Sequence, residues 1–142
     1  MNFSSQEFYD VVVVPNVAAQ HADTGSYRHA VNAIASLDDY IGIWALELLR
    51  NGKTTLKEES FRDYLAGRSE PYRILRDMAY SLKHGELTRS KGRLVKDAER
   101  LHIQGPAFSP AAFSSAFAID PVICVKVEDG RVLWSGGFYR RP

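Results

Sequence analysis

The residues with the clearest chemical potential lie in one stretch, PYRILRDMAYSLKHGEL, which spans Pro71–Leu87. Arg76, Tyr80 and His84 follow one another at intervals of four residues, so on a helix they form a single stripe that drifts only ~40° per step. An arginine can grip an anion with its planar fork, and a histidine can move a proton near neutral pH. We therefore take Arg76, Asp77 and His84 as candidate catalytic residues for phosphate chemistry.

Two cations stand at the end of the same stretch. Lys83 and His84 come immediately before Gly85, a residue type that commonly ends helices. We take Lys83 and Tyr80 as candidate binding residues beside the catalytic set. Cations in a last helical turn also stabilise the negative end of the helix dipole, which needs no ligand. The sequence leaves both explanations open.

A second polar stripe lies on an earlier helical stretch, Tyr27 to Arg50. Arg28, Asn32 and Asp39 fall within ~40° of one another on a helix, opposite a broad apolar arc. We predict that they are binding residues facing the first stripe, with at least one ion pair between the two helices. A solvated helix face explains these residues equally well.

Hydrophobic periodicity predicts the elements that would position these side chains. The expected helices run from Ser4 or Ser5 to about Gln20 with an interruption at Pro15, over 27–50, from a Thr55/Glu58 capping box to Gly67, and over 71–84. Asn51 and Gly52 are expected to end the second of these helices in left-handed conformations. Asp38 points close to the apolar arc, so it needs a partner if it is buried. Short connections between helices indicate antiparallel neighbours in a bundle.

After residue 85 the sequence no longer shows a clear helical pattern. Residues 86–102 fit either a helix or an irregular strand, and 104–121, which is rich in proline and phenylalanine, fits a loop packed on the bundle. Two apolar runs, Val122–Val127 and Val132–Trp134, predict a hairpin that turns at Asp129-Gly130 through a two-residue type I′ turn, with Glu128 opposite Arg131.

The predicted fold is therefore mainly α: an antiparallel helical bundle of three to four helices with a C-terminal β-hairpin. We expect one domain over 1–142, with the bundle in 1–103 and the packed loop plus hairpin in 104–142.

Composition removes several classes of function. The net charge of +1 gives no global field for nucleic acid or an anionic membrane, and no apolar run approaches the ~18 residues of a membrane span. Cys124 is the only cysteine, the histidines lack metal-ligand spacing, and no glycine-rich phosphate loop occurs. We predict a cytoplasmic protein with no metal and no cofactor.

The string RDMAYSLKH resembles a pattern in uncharacterised bacterial and phage helical proteins, in which Arg-Asp and Lys-His pairs bracket an asparagine on a late helix. It is also similar to HEPN-type four-helix proteins, many of which are RNases of toxin–antitoxin or phage-defence systems. That resemblance implies that Arg76 holds the scissile phosphate, Asp77 is the polar residue and His84 is the acid–base. The chain departs from the pattern in two ways: Tyr80 replaces the asparagine, and His84 lies ~80° around the helix from Arg76.

Two functions follow. The first is a non-catalytic helical binding or assembly protein of a bacterium or mobile element, with a protein partner. The alternative is a HEPN-like RNase or RNA-binding defence protein that uses the Arg/His stripe. Either is expected to be a homodimer, because the apolar residues of the C-terminal region exceed what a small bundle obviously needs and two-fold dimers are the commonest assemblies.

Overall fold

The computed structural model describes residues 4–85, 94–95, 97–104, 122–134 and 137–139. Over these residues the fold is mainly helical, which confirms the predicted class. The helices are α1 (Ser5–Phe8), a π-helical segment (Tyr9–Val13), α2 (Val14–Ala22), α3 (Tyr27–Arg50), α4 (Glu58–Arg68) and α5 (Glu70–His84). A 3₁₀ turn (Ala98–Arg100) then leads into strands β1 (Leu101–Gln104), β2 (Val122–Lys126), β3 (Val132–Trp134) and β4 (Gly137–Tyr139).

The first helical unit begins as predicted, with Ser4 and Glu7 forming a reciprocal capping box. The interruption lies on the N-terminal side of Pro15 and takes the form of the π-helical segment. Proline has no N–H to donate to the preceding turn, so the backbone there adopts wider hydrogen-bonded rings. Because α1, the π-helical segment and α2 follow without a break, we call them together the N-terminal helix.

The long helix α3 has the predicted bounds and is capped by Ser26, whose hydroxyl accepts a hydrogen bond from the N–H of His29. At its C-terminal end only Gly52 is left-handed, with φ +66°, whereas Asn51 has φ −85°. The expectation of two left-handed residues was therefore wrong for Asn51, because one glycine is enough to redirect the chain.

The short helix α4 differs most from its prediction. It begins at Glu58, and Lys57 occupies the cap position without a side-chain hydrogen bond, so the Thr55/Glu58 capping box is wrong. The hydroxyl of Thr54 accepts instead from the N–H of Leu56 in the preceding extended segment. Gly67 does not end the helix, which continues to Arg68.

Helix α5 follows after a single residue. Ser69 ends α4 and caps α5, accepting a hydrogen bond from the N–H of Tyr72, and Gly85 ends α5 with φ +80°. Both boundaries agree with the sequence analysis. Helix α5 packs against α3 and α4 and against the 3₁₀ turn before β1. Neighbouring elements therefore cover part of the polar face of α5 as well as its apolar face.

The four strands form one antiparallel sheet in the order β1-β2-β3-β4. Strands β2 and β3 make the predicted hairpin, but its turn differs. The N–H of Gly130 bonds to the carbonyl of Val127, and the N–H of Val127 bonds to the carbonyl of Arg131. Asp129 has no positive φ, so the turn is a three-residue connection with left-handed Gly130, and Val127 rather than Glu128 faces Arg131.

The sheet and the helices share one hydrophobic core. Its buried residues come from α3, α5 and the C-terminal region: Ala30, Ile74, Met78, Val95, Leu101 and Val127. Strand β1 begins before the boundary predicted at residue 103, within the stretch that the sequence left undecided. The loop was predicted over 104–121; Gln104 is the last residue of β1, and 105–121 lie outside the described residues.

Candidate functional site

Arg76 lies inside the fold rather than on a solvated face. Its residue is 8% exposed, and Nη1 lies 2.8 Å from Oδ1 of Asp63 on α4. Its buried Nε has no hydrogen-bond partner and lies 3.9 Å from Oδ1 of Asp77. The guanidinium thus joins α5 to α4 and presents little surface to an anion. Arg76 is buried because α4 packs against that side of α5.

Asp77 is also internal, at 0% exposure. Its Oδ2 accepts a hydrogen bond of 2.8 Å from the backbone N–H of Leu94. This bond fixes the segment before β1 against α5, beside the fully buried Val95. A carboxylate that is enclosed and hydrogen-bonded to the backbone is suited to holding structure rather than to contacting a substrate.

His84 is exposed as the last residue of α5, next to the C-terminal cap Gly85. Eight helical positions separate it from Arg76, which corresponds to roughly 12 Å along the helix axis. The described structure does not bring these two side chains together into a catalytic pair. Lys83 is exposed on the same last turn, where its cation stabilises the negative end of the helix dipole.

The three residues of the second predicted stripe do not act as one group. Arg28, Asn32 and Asp39 are all exposed on α3, and Arg28 contacts the ring of its neighbour His29, with Nη2 3.3 Å from Nε2. None of the ion pairs within the described ranges joins α3 to α5. The predicted ion pair is absent there because α4 supplies the partners of both helices: Arg62 for Asp38 and Asp63 for Arg76.

A polar cleft of about 470 Å³ nevertheless gathers part of both stripes. It lies between α3, α4 and α5. Its described lining residues are Val31, Ala35, Asp38, Asp39, Glu58, Arg62, Ala79, Tyr80, Leu82 and Lys83. Of the predicted binding residues it contains Asp39, Tyr80 and Lys83, whereas Arg28 and Asn32 are not among those described as lining it. We call this surface the polar cleft.

Arg62 makes most of the described side-chain bonds in the polar cleft, and it was not among the predicted site residues. Its Nη1 lies 2.5 Å from Oδ1 of Asp38 and 3.4 Å from the hydroxyl of Tyr72, and its Nη2 donates to the carbonyl of Asp38 at 3.0 Å. Its Nε donates to Glu58 at 3.1 Å. The signal available in the sequence was Asp38, whose position near the apolar arc required a buried partner.

Gly42 explains how Arg62 reaches α3. A β-carbon at Gly42 would lie 2.6 Å from Nη2 of Arg62 and 2.8 Å from Oε1 of Glu58. Glycine in a helix interior costs up to ~1 kcal/mol relative to alanine, so its presence there calls for a structural reason. The close approach of the guanidinium and the carboxylate supplies that reason.

Burial sets the electrostatics of this network. It raises the pKa of Asp38 above its usual range, while the guanidinium of Arg62 acts in the opposite direction. Burial also raises the pKa of Tyr72. For Arg62 burial acts to lower the pKa, but Asp38, Tyr72 and Glu58 together hold it above the ordinary value. Arg62 therefore stays a cation and its three bonding partners hold it in place.

The polar cleft presents charged groups and the hydroxyl of Tyr80 to any bound molecule. None of its described lining residues is a histidine, cysteine or serine. Within the described ranges no group of three or more histidine, cysteine, aspartate or glutamate residues is placed to hold a metal ion. The described helices also include none with the length and apolar character needed to cross a membrane.

A second, apolar groove of about 290 Å³ lies between α2, α3, α5 and the first two strands. Ala30, Ile74, Met78 and Leu101 line it, and all four belong to the hydrophobic core. We attribute this groove to the packing of the sheet on the helices.

Comparison with protein-family models, curated proteins and solved structures gives no match to this chain.

Proposed function

We propose that this protein is a non-catalytic helical binding and assembly module of a bacterium or mobile element, acting in the cytoplasm as a homodimer. The observation that carries the proposal is the position of Arg76 and Asp77. The two residues that would do phosphate chemistry are enclosed, and both bond to other parts of the same chain. Neither Arg76 nor Asp77 is placed to act together with the exposed His84.

The polar cleft is the proposed partner site. Its described lining carries three carboxylates, on Asp38, Asp39 and Glu58, against two cations, on Arg62 and Lys83. A surface with an excess of acid repels a phosphate backbone, whereas mixed charge suits a polar protein segment. Arg62 and Asp38 bond to each other, so the exposed Asp39 and Lys83 are the groups that would contact the partner.

Charge reversal tests the cleft. The purified protein would be used to capture crosslinked partners from its host, alongside the variants Lys83→Glu, Asp39→Lys and Arg28→Glu. Arg28 is a matched control because it is an exposed charge on α3 that is not among the described lining residues. We expect a partner that is retained by Arg28→Glu and lost by both cleft variants. Equal capture by all three variants would contradict the assignment of the cleft.

The alternative, a HEPN-like RNase, has a separate test. Purified protein would be incubated with single-stranded and structured RNAs, next to His84→Ala. His84 is exposed at a helix end, so its replacement leaves the fold intact. We expect no cleavage by either protein. Cleavage by the wild type that disappears in His84→Ala would overturn the non-catalytic proposal.

A further inference from the structure

The outer face of the N-terminal helix is apolar in its middle. Val11 is 62% exposed and Val14 is 44% exposed, and Pro15 and Ala18 are exposed on the same side. From Val11 to Gln20 the sequence contains no aspartate, glutamate, lysine or arginine, although a quarter of the whole chain is charged. A surface helix that is apolar on its outer side as well as its inner side normally has a partner there.

The spacing of these residues matches helix-to-helix packing. Val14 and Ala18 lie one α-helical turn apart, and the exposed Val11 precedes them within the π-helical segment, so the three form one outer strip that we call the seam. The seam combines larger and small side chains, so an antiparallel copy centred near Val14 and Pro15 would place Val11 opposite Ala18. Residues near a two-fold axis meet their own copies.

Polar groups at the two ends of the seam are complementary in that arrangement, because an imidazole N–H can donate a hydrogen bond to a carboxylate. Asp10 precedes the apolar stretch and His21 follows it, and both are exposed. Asp10 lies about one π-helical turn before Val14 and His21 lies about two α-helical turns after it, so both are on the same edge of the seam as Val14. In an antiparallel pair related by a two-fold axis, Asp10 of each copy therefore lies near His21 of the other, and the pairing occurs twice.

We infer that the outer face of the N-terminal helix is the surface through which two copies of this chain associate, as an antiparallel helix pair with Val14 near the two-fold axis. The inference deepens the proposed homodimer and rests on it. A seam of about two helical turns is shorter than the interface of a permanent complex, so the dimer is weak and its population rises with concentration.

Sedimentation over a dilution series from low micromolar to millimolar protein tests the surface. We expect the mass to rise from 15.9 kDa towards twice that value. Val14→Asp should weaken association by about ten-fold or more, because it places a charge in the seam. Leu46→Asp is the matched control, since Leu46 is exposed to a similar extent, 46%, on α3. A dimer that Val14→Asp leaves intact would overturn the surface while sparing the homodimer. A monomer at every concentration would overturn both.

Two further variants test the arrangement. Asp10→Arg should weaken association by about five-fold, and Asp10→Arg combined with His21→Glu should restore it. In a Cys124→Ser background, Val14→Cys should form an intermolecular disulfide on mild oxidation, whereas Leu46→Cys should not. Crosslinking of both cysteines to the same extent, or no rescue by the charge swap, would contradict the antiparallel arrangement. Val14→Asp should still capture the partner of the polar cleft, because Val14 is not among the described lining residues of the cleft. This measurement tests the binding function separately from dimerisation.

Discussion

Gly42 is the residue on which the geometry of the polar cleft depends most directly. It lets Arg62 and Glu58 approach the backbone of α3, and Arg62 in turn neutralises the buried Asp38. A buried ion pair contributes little by itself, but losing one partner leaves an uncompensated charge. The residues of this network are therefore sensitive to single substitutions even though they form no catalytic site.

We predict that Gly42→Ala destabilises the protein. Alanine favours the helix by up to ~1 kcal/mol, but its β-carbon would force Nη2 of Arg62 and the Glu58 carboxylate to move, which weakens a buried network whose full rupture costs ~3–5 kcal/mol. A net loss of about 2 kcal/mol in the free energy of unfolding is expected from denaturant titration. Gly67→Ala is the control, because nothing lies within 4 Å of its β-carbon position, and it should stabilise slightly. Equal effects of the two substitutions would contradict the packing described for Arg62.

The pair itself can be tested by a double-mutant cycle. Arg62→Met leaves Asp38 buried without its cation and should cost about 3–5 kcal/mol of unfolding free energy. Combining it with Asp38→Ala should recover much of that loss, because no buried charge then lacks a partner. If the double variant is as unstable as the sum of the two single variants, the pair is not the coupled unit that the distances indicate.

Periodicity predicted the helices and the β2–β3 hairpin, but not strands β1 and β4, the cap of α4 or the contacts between the elements. The bounds of α3, the cap Ser4 and the end of α5 before Gly85 agree with the prediction, because each depends on local hydrogen bonds. The burial of Arg76 could not be predicted, since it depends on α4 approaching a face that periodicity marks as polar. The predicted type of the turn at Gly130 was wrong because the dipeptide Asp129-Gly130 suits both a two-residue and a three-residue hairpin connection.

The N-terminal helix is attached to α3 at its first turn. The N–H of Ser5 donates to Oε2 of Glu47 at 2.6 Å, and the rings of Tyr9 and Tyr40 lie 5.3 Å apart. Hydrogen bonds from Ser5 lower the pKa of Glu47. This attachment holds the outer face of the helix, with Val11 and Val14, in a fixed position on the bundle.

We predict that acidification loosens the N-terminal helix before the rest of the bundle. Since the pKa of Glu47 is lower in the folded chain, its ionised form stabilises folding above the unfolded pKa, and this contribution is lost as pH falls through the folded value. Amide hydrogen exchange in residues 5–22 should therefore accelerate relative to α3 on acidification. Glu47→Gln should reduce that pH dependence, and an unchanged profile in Glu47→Gln would show that another group controls the attachment.

At the scale of the whole molecule, α5 joins three parts of the structure. Arg76 bonds it to α4, Asp77 bonds it to the segment before β1, and Glu70 pairs with Arg131 beside the hairpin turn. Ile74 and Met78 complete the core with residues of the sheet. Of the residues that looked most like a reactive site in the sequence, Arg76 thus joins two helices and Asp77 joins α5 to the segment before the sheet.

The free energy of unfolding of Asp77→Ala, compared with that of His84→Ala, tests this account most directly. Replacing a catalytic residue often leaves stability unchanged or raises it, whereas removing a buried acceptor leaves the N–H of Leu94 without its bond. We predict a loss of about 2 kcal/mol or more for Asp77→Ala and a change within about 0.5 kcal/mol for the exposed His84→Ala. An Asp77→Ala variant as stable as the wild type would contradict the structural role assigned to Asp77.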